Sequence, residues 1–176
     1  MSKFSSGLVI ALVSLVSFGF KHAADIKTKV NWQTTDEVTT QYTAEKKPII
    51  VDIYTDWCHY CKVMDKTTYS NDSVANYINK HFYRAKLNAE SKTAFNWMGK
   101  SYNYIPKFKL NELVINLTKG NIVYPSTVII PPNGEPQSVG GALSVKELEL
   151  LIKYFGEDKF GKVSWEDYLK TFKSTW

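Results

Sequence analysis

One short stretch constrains this chain more than any other. The β-branched run Ile49-Ile50-Val51-Asp52-Ile53-Tyr54 gives way almost at once to Trp57-Cys58-His59-Tyr60-Cys61-Lys62. An apolar run of that kind suits a central strand buried on both faces, with Asp52 the exception within it. The residues that follow read as a helix over residues 58–68, so a strand hands a dithiol to a helix start. Free backbone N–H groups and the positive end of the helix dipole lower the pKa of a thiol placed there. Thiolate is the nucleophile, which makes Cys58 the reactive sulfur. Cys61 lies one turn later on the same side, where it can attack a mixed disulfide formed at Cys58.

Three other uses of the pair compete. A purely structural disulfide closing so short a loop removes little entropy from the unfolded chain. A zinc site needs two further ligands, drawn from His22, His59, His81 and scattered carboxylates, with no second C-x-x-C or H-x-x-H. Two inert, buried cysteines are the third alternative, though flanking Trp57, His59 and Lys62 do not read as core.

With 176 residues the chain suits one domain with a substantial core. The formal charge of +5 falls to +3 without Lys3 and Lys21. The lysines are dispersed, with no arginine-rich stripe to suggest nucleic acid. Residues 1–24 stand apart: Lys3 precedes an apolar run from Gly7 to Phe18, followed by small residues and Lys21-His22, the pattern of an export signal. The run is shorter than the roughly 20 residues that span a bilayer, so the segment reads as a cleavable leader or an N-terminal anchor. Cleavage is expected after Gly19 or Ala24. Export places the dithiol in a periplasm or secretory lumen, where disulfide chemistry has substrates.

Beyond the leader, Thr35 or Asp36 is expected to cap a helix running toward Lys46. After the dithiol helix, Ser70-Asn71-Asp72 starts another with Val74, Tyr77 and Ile78, and residues 82–88 form a strand, completing a β-α-β crossover with parallel strands. Leu110, Leu113, Val114 and Leu117 predict a helix closed by Gly120. Ser126-Thr127-Val128-Ile129-Ile130 and Gln137-Ser138-Val139 flank the turn Pro131-Pro132-Asn133-Gly134 as an antiparallel hairpin. Ser144 caps a last amphipathic helix ended by Gly156. The tail around Trp165, Tyr168 and Phe172 has helical spacing and is expected to dock on the domain, with a partner-binding helix as the alternative.

Four ordered motifs now resemble the thioredoxin superfamily: Val51-Asp52 ahead of Trp57-Cys58, Lys86-Leu87-Asn88, Tyr124-Pro125-Ser126, and Val139-Gly140-Gly141-Ala142-Leu143-Ser144. The stretch from Asp56 to Thr67 is most similar to exported members such as the C-terminal domain of transmembrane thiol:disulfide interchange proteins. The resemblance covers residues 48–155. It implies a thioredoxin-like α/β fold, with a central mixed sheet (a parallel βαβ plus an antiparallel hairpin) flanked by helices. The chain would then hold a single domain over residues 25–176, with an inserted helical segment at about 89–123 and a helical tail at 156–176. The chain departs from thioredoxin in that insertion and in the His59-Tyr60 dipeptide between the cysteines.

The resemblance also implies roles. Cys58 attacks, Cys61 resolves, and the two form the redox disulfide. Asp52, whose pKa burial should raise, accepts and returns a proton during exchange at Cys61. Lys86 either pairs with Asp52 and modulates that titration or faces solvent as a surface lysine. Trp57 shields the dithiol and offers an apolar contact for substrates. Tyr124 precedes a cis-Pro125 and offers its backbone to an extended substrate, with Gly140 and Gly141 beside it. His59 and Tyr60 tune the potential. The expected activity is an exported protein-disulfide oxidoreductase needing no metal or organic cofactor. It takes electrons from a membrane or soluble thiol reductase and touches the membrane only if its leader is uncleaved. A disulfide oxidase or isomerase, or a non-catalytic metal- or partner-binding module, is the alternative.

Overall fold

The computed structural model describes residues 28–132 and 134–176; the expected leader and Asn133 of the expected hairpin turn lie outside them. The elements run α1 (Thr35–Ala44), β1 (Ile49–Tyr54), α2 (His59–Thr67), α3 (Asp72–His81), β2 (Tyr83–Asn88), β3 (Phe95–Trp97), β4 (Lys100–Tyr102), β5 (Tyr104–Ile105), β6 (Leu110–Asn111), α4 (Glu112–Thr118), β7 (Ser126–Ile130), β8 (Gln137–Gly140), α5 (Val145–Gly156) and α6 (Trp165–Thr171).

Four strands form the central sheet in the order β2-β1-β7-β8. β1 is parallel to β2, placing Asp52 opposite Lys86, and antiparallel to β7, placing Asp52 opposite Thr127. Side chains alternate across β1 and divide the core in two. Ile50 joins Met64, Val74, Ile78, Ile129, Leu148 and Ile152 beneath α2, α3 and α5. Ile49, Val51 and Ile53 join Val38, Ala85, Leu113, Val114 and Leu117 beneath α1 and α4. With both faces covered, β1 is buried almost throughout, as its composition predicts. The tail packs on the first of these layers: Tyr168 is buried in it, and Trp165 meets Tyr154 edge-on at 5.0 Å.

Several boundaries differ from expectation for local reasons. α1 is capped by Thr34, because Glu37 then stands three residues on and closes a reciprocal capping box. It stops at Ala44, because the next residue, Glu45, is already extended. Leu110 belongs to β6, and the following helix begins at Glu112 under an Asn111 cap. Residues 95–111 form two small hairpins that periodicity did not foresee. The first turns at Met98-Gly99, both at positive φ, a two-residue turn with none of the usual Asn-Gly signal. Gly156 is the last residue of α5, not a left-handed terminator; a Cβ there would lie 2.7 Å from the Tyr77 hydroxyl. Among the described residues no helix is long and apolar enough to cross a membrane.

Candidate functional site

Cys58 is the N-cap of α2. Its sulfur accepts a hydrogen bond from the Cys61 N–H at 3.1 Å, so the reactive position is part of the helix start itself. The two cysteines are joined in a disulfide, with Cα atoms 5.4 Å apart. Both are buried, at 5% and 3% exposure. α2 carries no acid in its first turn to offset the positive end of its dipole.

The strand leading into the dithiol carries Asp52, 2% exposed. Lys86 reaches it from β2, Nζ to Oδ2 2.8 Å, and also pairs with Asp65 of α2. The other Asp52 oxygen, Oδ1, has no hydrogen-bond partner. Burial pushes the Asp52 carboxyl up to about 6, against the pull of the Lys86 ammonium. Burial also works against the Lys86 charge, but Asp52 and Asp65 together hold its pKa above the ordinary lysine value. Tyr69, whose hydroxyl lies 3.3 Å from Thr127 Oγ1, is pushed well above the usual tyrosine range by burial, with Asp52 adding to the effect.

A second group surrounds Trp57, which is 65% exposed. Its indole N–H donates to Glu90 Oε1 at 3.0 Å, and its ring meets Tyr124 edge-on at 5.7 Å. The Tyr124–Pro125 peptide bond is cis, and the Pro125 carbonyl accepts from the Gly141 N–H at 2.8 Å. Gly141 sits at φ +101°, which favours glycine. Gly140 pairs with Ser126, and a Cβ on it would press on Val123 at 3.0 Å. His59 and Tyr60 face solvent, their rings edge-on to each other at 5.6 Å.

The structure thus joins Asp52 with Lys86, Trp57 with Tyr124, and Pro125 with Gly141. Three neighbours escaped the sequence reading. Asp65 stands four residues after Cys61, on the same helix face, and that spacing was the available signal. Glu90 comes two residues past Lys86-Leu87-Asn88, with nothing local to mark it. Trp32, whose ring lies 5.6 Å from Lys86 Nζ, comes from a segment that only the tertiary fold brings here. Among the described residues no group of three or more His, Cys, Asp and Glu side chains is placed to hold a metal ion.

A four-stranded mixed sheet, a C-x-x-C pair at a helix N-cap and a cis-proline turn define a thioredoxin-fold protein with a dithiol site. Residues 18–154 match the family described as Thioredox_DsbH, protein of unknown function, DUF255, and the chain belongs to that family. It is 37% identical over 76 residues to the thiol:disulfide interchange protein DsbD of Escherichia coli K12. That match covers 38% of this chain and only 14% of the relative's length. Among solved structures it resembles a DsbH oxidoreductase, with TM-score 0.55 and 13% identity over 79% of this chain and 93% of that one. It also resembles a thioredoxin-fold protein from Helicobacter pylori, with TM-score 0.56 and 13% identity over 70% and 83%. At such identity these two likenesses bear on the fold alone.

Proposed function

We propose that this protein is an exported thiol:disulfide oxidoreductase that reduces or exchanges disulfides of periplasmic proteins. The observation that carries the reading is a cysteine at a helix N-cap with its partner one turn away in disulfide contact. In the reduced enzyme the Cys58 thiolate attacks a substrate disulfide, forming a mixed disulfide and releasing one substrate thiolate. The Cys61 thiol gives its proton to Asp52 and attacks the Cys58 sulfur. The second substrate thiol leaves, and the enzyme keeps the Cys58–Cys61 disulfide. Two electrons have passed to the substrate, and a membrane or soluble thiol reductase must restore them.

Asp52 suits this work because a carboxyl titrating at about 6 can take up and return a proton near neutral pH. Lys86 modulates it through their direct contact. Trp57, Tyr124, Pro125, Gly140 and Gly141 form the substrate-facing rim, while exposed His59 and Tyr60 tune the couple. Residues 25–176 act as one domain. The leader pattern and the likeness to DsbD support export to the periplasm, and the name of that relative supports thiol redox partners.

Cys61→Ala tests the route. It should accumulate mixed disulfides with periplasmic proteins, and Cys58→Ala should not; failure to trap any refutes the mixed-disulfide step. The reduction potential then sets direction. A value near the −270 mV or so of thioredoxin supports a reductant, and one near about −120 mV makes the protein an oxidant.

A further inference from the structure

Lys86 bridges two carboxylates, Asp52 and Asp65. Asp52 lies inside, its side chain 3% exposed, and Asp65 lies outside at 41%. Three aromatic rings surround the ammonium: Tyr54 at 5.1 Å, Trp32 at 5.6 Å and Tyr69 at 5.8 Å from Nζ. Tyr54 belongs to β1, and Tyr69 follows α2. Trp32 comes from residues 28–33, which precede every element of the sheet and reach the outer edge of β2 where Gln33 bridges to Ala85.

Side-chain clasps hold that segment in place. The Asn79 amide accepts from the Asn31 N–H at 2.9 Å and donates to the Lys29 carbonyl at 2.8 Å. Arg84 Nε donates to the Asn31 carbonyl at 2.7 Å, and Gln33 N–H bonds the Arg84 carbonyl at 2.9 Å. Clasped in this way, Trp32 stands edge-on to Tyr69 at 5.0 Å and walls a cleft of about 380 Å³ that opens beside Lys86 and Asp65.

We propose that Trp32 is a positioning residue of the redox site, closing an aromatic cage that keeps the Lys86 ammonium on Asp52. The inference rests on the reading of Asp52 as the proton-handling group. A ring face attracts an ammonium most strongly where water is excluded. With the indole gone, water fills the cleft and the ammonium lets go of Asp52, keeping only Asp65 and solvent. Asp52 stays buried on β1 with less compensation, so its protonated form gains. The charged and titratable groups facing this pair are Asp65 from α2, Tyr69 behind it and Tyr54 from β1. Lys29 and Lys66 line the same cleft, and Glu37 of α1 lines a neighbouring cleft that shares Trp32 and Lys86.

The experiment follows the Asp52 carboxyl carbon by NMR titration of the full chain, with Asp52→Asn to assign the signal. It also measures the pH dependence of mixed-disulfide resolution by Cys61. Trp32→Ala should raise both midpoints by about one pH unit. Trp32→Phe, which keeps a ring, should restore them. In a Lys86→Met background Trp32→Ala should shift nothing further.

A lower melting temperature with an unmoved midpoint overturns the proposal, leaving Trp32 a structural wall. So does a shift that persists undiminished without Lys86. Should Trp32→Ala not fold, Asn79→Ala loosens the segment that seats Trp32 while leaving every ring of the cage in the sequence. It should raise the carboxyl midpoint too, and an unchanged midpoint there refutes the idea. A carboxyl shift with no change in the rate profile supports the cage and overturns the proton role of Asp52 instead.

Discussion

Glu149→Gln should cost this protein about 3 kcal/mol at pH 7 and almost nothing at pH 2. Glu149 lies on α5 with its side chain fully buried, and it gathers in the end of the chain. It accepts from Lys153 Nζ at 2.7 Å, Ser174 Oγ at 2.6 Å, Thr175 Oγ1 at 2.8 Å and the Thr175 N–H at 3.0 Å. Burial alone would raise its pKa. The hydrogen bonds from Lys153, Ser174 and Thr175 outweigh that and bring it from 4.5 down to about 2.

At about 1.4 kcal/mol per unit, the shift corresponds to about 3 kcal/mol in favour of the ionised form. A depressed carboxyl stabilises the fold above its unfolded pKa, near 4.5, and loses that contribution as pH falls toward 2. Glutamine resembles the protonated acid, so the gap between variant and parent should close over that window. Urea unfolding at pH 7 and pH 2 measures it, and hydrogen exchange at the Thr175 and Trp176 amides localises it. Equal stabilities at pH 7, or a gap as wide at pH 2, would refute the reasoning.

Two further outcomes follow from the structure. Asp52 has a folded pKa raised to about 6, so its contribution to stability is present in acid and lost as pH rises through that value. Asp52→Asn should therefore be more stable than the parent at pH 7, by up to about 3 kcal/mol, with the gap closing below pH 4. It should also resolve mixed disulfides on the order of 10²-fold more slowly. Denaturant titration at both pH values and single-turnover kinetics check the two halves, and a less stable variant at pH 7 contradicts the first. Gly156→Ala should destabilise by about 1–3 kcal/mol, because the new methyl meets Tyr77 and Phe82 at 2.7–3.2 Å. A melting temperature at or above that of the parent would show that these rings yield freely.

The parts legible in the sequence are those where one local rule dominates. β1 reads as a doubly covered strand because nearly every residue in it is apolar, and α5 because its apolar residues keep helical spacing above a Ser144 cap. The dithiol, Asp52 and Lys86 were all within reach, since parallel pairing from one end of β1 sets Asp52 against Lys86. What stayed hidden depends on distant chain. Strands of two or three residues, such as β3 to β6, are too short for alternation to register. Glu149 reads as a polar neighbour of Leu148 on α5, and only the returning tail buries it. Trp32 and Glu90 become part of the site through contacts with residues more than thirty positions away.

The sulfur that caps α2 is also the atom that chemistry would change. A thiolate is a stronger hydrogen-bond acceptor than a sulfur tied up in a disulfide, so the start of this helix is better fastened when the pair is reduced. The grip of the Cys61 amide thus acts as a thermodynamic weight on one side of the redox couple. Loosening the first turn of α2 would make the protein easier to oxidise and therefore a stronger donor of electrons.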